Sequence, residues 1–80
     1  MNIALEAARE YLLRSGKTRV WPAHLSRTVD AHLSLIAQRI MDRVRTLERD
    51  GKATEAERVF REEMKLVGVA AAKEIIANGS

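Results

Sequence analysis

Two matched apolar rhythms constrain this chain more than any other feature. From Leu25 onward Val29, Leu33, Ile36, Ile40, Val44 and Leu47 follow at spacings of four, four, three, four, four and three. Ala56, Phe60, Met64, Val67, Ala71 and Ile75 then recur at four, four, three, four and four. That rhythm repeats every eleven residues, about 3.67 per turn, and so marks one face of a nearly straight α-helix rather than a seven-residue coiled-coil seam. Asp50-Gly51 stands between the two series. Two helices of near-equal length joined by so short a turn must run antiparallel and cover each other's stripes.

The remaining boundaries follow from cap chemistry. Asn2 is placed to cap a first helix over residues 2–14, whose stripe is Ile3, Ala7, Ala8, Tyr11 and Leu12. Ser15-Gly16 ends it, since glycine adopts the left-handed C′ conformation at least cost. Lys17-Thr18-Arg19-Val20-Trp21 alternates in the manner of a strand, within a basic connector over residues 15–21. Pro22 suits the first position of a long second helix, residues 22–50, with Val20 and Leu25 stapling its entry; Ser26 is a competing cap. Thr54-Glu55-Ala56-Glu57 has the spacing of a capping box, which starts the third helix at residue 55 and carries it to 77. With the turn near Lys52, facing positions should add to about 104, so Ile40 opposes Met64.

The expected fold class is therefore all-α: a short N-terminal helix, then a long antiparallel hairpin, in one domain over residues 1–80. Size adds a further expectation. Eighty residues without cysteine, 46% of them hydrophobic, bury only about 60–65% of their extended surface alone and have no disulfide to help. Val59, Leu66, Val69, Ala70 and Ile76 widen the stripe of the third helix beyond what a short first helix covers. A homodimer closing into a helical bundle is expected, with Leu66, Val69, Ala70 and Ile76 at the shared surface, burying at least about 1,000 Å² in total. No apolar run reaches membrane-spanning length and no leader pattern opens the chain, so no membrane contact and a cytoplasmic location are expected.

The residues that carry chemistry are sparse. His24 and His32 share the second helix, but neither has a serine or cysteine nucleophile at a spacing that would pair them. Glu57, Glu62, Glu63 and Glu74 lack the Glu-x-x-His companion of helical di-metal sites, and several stand one turn from an arginine. Gly16-Lys17-Thr18 lacks the preceding glycines of a phosphate loop. No catalytic, cofactor-binding or metal-binding residue is assigned, and no enzyme activity is expected.

Charge and one aromatic residue point instead to a macromolecular partner. The net charge is +3, and residues 9–27 hold five basic side chains against Glu10 alone. Arg14, Lys17 and Arg19 form that patch, and Trp21, the single tryptophan, follows it. Trp21 either plugs the open end of the bundle or anchors an interface, where tryptophan and arginine dominate binding energy. Arg39 and Arg43 stand one turn apart and need a counter-charge, from Glu55 or Glu62 across the hairpin or from a partner. The expected function is a small protein–protein interaction module, an adaptor, regulator or inhibitor of a larger partner, with the basic patch favouring an acidic one. The alternative is a weak nucleic-acid-binding transcriptional regulator using the basic segment over residues 14–27, with few phosphate contacts and salt-sensitive binding.

Overall fold

Each helix of the computed structural model, which describes residues 2–16 and 21–78, begins and ends where local chemistry changes. Helix α1 spans Ile3–Ser15. Asn2 sits before it in extended backbone, and its Oδ1 accepts a hydrogen bond from the Leu5 N–H at 3.0 Å, satisfying one of the orphan donors of the first turn. Gly16 closes it at φ 79°, its N–H donating to the Leu12 and Leu13 carbonyls. Helix α2 spans Pro22–Arg49, with Trp21 in the cap position and proline first, so Ser26 lies inside the helix. Of the expected Lys17–Trp21 strand only Trp21 is described, in extended backbone; residues 17–20, with the Val20 staple, lie outside the described residues.

The turn into α3, Ala53–Ala77, corrects the expected capping box. Gly51 adopts φ 77° and donates to the Glu48 carbonyl at 3.0 Å, while the Lys52 N–H reaches the Leu47 carbonyl at 2.9 Å. This double closure is the Schellman arrangement. It delivers the chain at Lys52 already in position to start a helix, and the Lys52 carbonyl accepts from the Ala56 N–H at 2.9 Å. Thr54 is thereby drawn inside the first turn. The cap residue is Lys52, without a side-chain cap bond, and Glu57 turns forward to Arg61 at 2.9 Å instead of back to Thr54. Glu55 remains in the first turn, where a carboxylate complements the positive end of the helix dipole.

The protein is all-α, with α1 packed on a long antiparallel hairpin of α2 and α3. Arg43 meets Glu63 and His32 meets Glu74 across the hairpin. Both pairs add to 106, so the register lies about one residue per helix from the expected one. Ile40 is buried at mid-length as the pattern required. Leu25 and Val29 of α2 pack with Val67, Ala71 and Ile75 of α3, and Ala4, Ala8 and Leu12 of α1 complete the cluster. Val29, Val67 and Ile75 are essentially solvent-free, each worth about 1.5–3 kcal/mol of apolar burial.

α1 lies closest to α3. Its start, Asn2 and Ile3, borders Leu33, Phe60 and Met64, and Leu12 near its end joins the cluster containing Leu25. It therefore runs parallel to α3 and antiparallel to α2. The buried line of α1 is Ala4, Ala8 and Leu12: Ala8 and Leu12 belong to the expected stripe, Ala4 is added to it, and Ile3, Ala7 and Tyr11 are half-buried at its edge, a shift of the stripe's centre towards the alanines. Gly68 explains the shift. A Cβ built there would lie 2.0 Å from the Ala4 carbonyl oxygen, so the absence of a side chain lets the two backbones approach and selects alanines as the facing residues.

Candidate partner-binding surface

The end of the bundle where α1 stops and α2 starts is closed by Leu12 and Leu25, each 4% exposed. Trp21 is not part of that closure. It is 82% exposed, and Leu13 is 66% exposed. The reading of Trp21 as a plug is thereby corrected: leucines three residues inside the helix termini already cover the core, and the extended backbone at Trp21 (φ −64°, ψ 132°) precedes the first helical turn. Leu13 follows Leu12 by about 100° around the helix and so leaves the buried face.

Arg14 shares this end. Its guanidinium pairs with Glu10 one turn earlier, with both side chains mostly in solvent, a contact worth a few tenths of a kcal/mol at most. Lys17 and Arg19 lie outside the described residues. Arg39 and Arg43 do not join this surface. They stand 18 to 22 residues beyond Trp21, about 27–33 Å along α2 at 1.5 Å per residue, where with Ile40 and Glu63 they line a hollow of about 180 Å³.

Arg43 Nη1 lies 3.5 Å from Glu63 Oε1; its counter-charge comes from Glu63 and not from Glu55 or Glu62. Arg58 pairs with Glu55 one turn earlier on α3, at 3.7 Å. His32 Nε2 lies 3.4 Å from Glu74 Oε1, an ion pair whenever the imidazole is protonated. These two cross-helix contacts run along one edge of the α2–α3 seam. Leu33 and Met64, about 100° round their helices from His32 and Glu63, border α1 along the other edge.

The four residues expected at a dimer surface divide between two sides of α3. Leu66 is 61% exposed and Ala70 is exposed. Val69 is half-buried and, with Ile3, Ala7, Tyr11 and Lys65, lines a shallow cleft of about 280 Å³ between α1 and α3. Ile76 is half-buried against the core.

Sequence reasoning missed Leu13, although its place off the stripe of α1 was a usable signal. It also missed Gly68, a glycine amid strong helix formers. Among the described residues no group of three or more histidine and carboxylate side chains is placed to hold a metal ion, and no helix is long and apolar enough to cross a membrane. No protein-family model matches the chain, and comparison with curated proteins and with solved structures returned no match.

Proposed function

We propose that this protein is a small helical protein–protein interaction module that docks through its α1–α2 end onto an acidic surface of a larger protein, acting as its adaptor, regulator or inhibitor. The observation that carries this reading is the exposure of two large apolar side chains towards that end, Trp21 (82%) and Leu13 (66%). A lone tryptophan that the described residues leave largely exposed offers a large apolar face, and such rings make the strongest anchors at protein interfaces. The five basic residues against one acidic residue over positions 9–27 set the sign of the partner, since charge complementarity steers encounter and rejects basic surfaces.

Affinity capture with immobilised wild-type protein and with Trp21→Ala tests the reading. The expected result is one acidic protein held by the wild type, released by moderate salt and retained at least about tenfold less by the variant. Equal retention of the same proteins by both forms would overturn it. Binding of generic duplex DNA at about 50 mM salt, equal in both forms and without a retained protein, would instead favour the nucleic-acid reading.

A further inference from the structure

We infer that a second copy of this chain docks on the α2–α3 seam beside the turn, along the edge that α1 leaves bare. α1 has 13 residues and at about 1.5 Å per residue covers roughly 20 Å of a molecule 43 Å long. Where α1 lies, the seam is sealed: Val29, Ala71 and Ile75 are essentially dry. Past Ile3 no described residue covers the same seam, which opens with a hollow of about 200 Å³ against Leu33, Phe60 and Met64. Met41 is 39% exposed there, and Ala37, Val44, Phe60 and Met64 are only half-buried. The apolar stripe that built the hairpin thus extends along its full length, whereas its cover stops midway.

Charge selects a second copy as the occupant. The turn half of the hairpin, residues 40–65, carries seven basic and seven acidic side chains, among them the paired Glu57 and Arg61 on α3. A patch that must meet itself across a two-fold axis needs such a balance, because any excess would face its own like. The basic excess over residues 9–27 belongs to α1 and the start of α2, so two copies joined beside the turn hold those ends apart. An acidic partner is drawn to the α1–α2 end and gains nothing from the neutral rim.

The bare stretch, about 23 Å long on a molecule about 20 Å wide, offers roughly 450 Å² per copy and about 900 Å² in total, near the lower margin of specific interfaces. A weak, reversible dimer follows, in which two hairpins share one four-helix core.

Sedimentation equilibrium of the full chain from about 5 to 500 µM reads this directly. The expected mass rises from 9.0 kDa towards twice that value. Met41→Lys places a charge in the seam without touching the monomer core and should raise the dissociation constant by about tenfold or more, with helicity unchanged. Leu66→Lys and Trp21→Ala should dimerise as the wild type does, so a failed partner capture and a failed dimer remain separable. A mass of 9.0 kDa at every concentration would overturn the inference. So would a dimer that Leu66→Lys abolishes and Met41→Lys leaves intact.

Discussion

Gly68→Ala should destabilise the protein by about 2–3 kcal/mol and free α1 from the hairpin. Within an isolated helix the same change stabilises by about 1 kcal/mol, because alanine is the better helix former. The sign of the effect therefore reports whether α1 is seated where the structure places it. The new Cβ would lie 2.0 Å from the Ala4 carbonyl oxygen, 3.0 Å from the Ala4 carbonyl carbon and 3.0 Å from the Ala7 Cβ. Two of these atoms are backbone, and no rotamer change relieves them. α1 has to withdraw, and Ala4 and Ala8, both fully buried, lose the close contact that their small size permits. Once undocked, a 13-residue helix is marginal in water. Circular dichroism should show lost helicity together with the lower melting temperature. A variant that melts higher than wild type would mean that α1 packs elsewhere.

Ile75→Ala should cost about 3–4 kcal/mol, near the upper part of the range for removing a buried isoleucine. Ile75 is 1% exposed in the cluster that joins Ala8 and Leu12 of α1 with Leu25 and Val29 of α2, so three helices surround the cavity and none can collapse into it freely. An 80-residue domain has only about 4–12 kcal/mol in total. The variant should accordingly unfold near room temperature or in dilute urea. Ile76→Ala removes the same atoms at a half-buried position and should cost about 1 kcal/mol. Equal losses at the two positions would show that the face of α3 turned to the core is misassigned.

Most of the hairpin is legible in the sequence because burial along a helix has a period. Leu25, Val29 and Ile40 announce the face of α2, and Val67, Ala71 and Ile75 that of α3, without any knowledge of what opposes them. The seat of α1 is not legible in the same way. Ala4, Ala8 and Gly68 carry almost no hydrophobic signal. Their role is to be small where two backbones meet, a property of the pair of helices and not of either one. The start of α3 was misplaced for a related reason. Thr54 and Glu57 satisfy the local grammar of a capping box, but the Schellman closure at Gly51 and Lys52 had already set the chain into a helix two residues earlier. On the surface, composition identified Trp21 and Arg14 as notable residues but not their surroundings. Whether a tryptophan at a helix entry covers the core depends on whether Leu12 and Leu25 already do so, and that is a tertiary fact. Arg39 and Arg43 had the right residue type for a partner site, yet α2 carries them more than half of its length from Trp21.

Trp21 also supplies the most direct measurement, since it is the only tryptophan in the chain and thus an unambiguous fluorophore. The docking reading requires its ring to be in water and among cations. Its emission should sit at the red, solvent-exposed limit and barely shift when urea unfolds the protein. Iodide should quench it more strongly than caesium at equal ionic strength, because the stretch of sequence about it, residues 9–27, has five basic side chains to one acidic and should concentrate anions. A blue-shifted emission that moves to the red at the same urea midpoint as the helical signal would place Trp21 in the core and contradict the proposed docking surface.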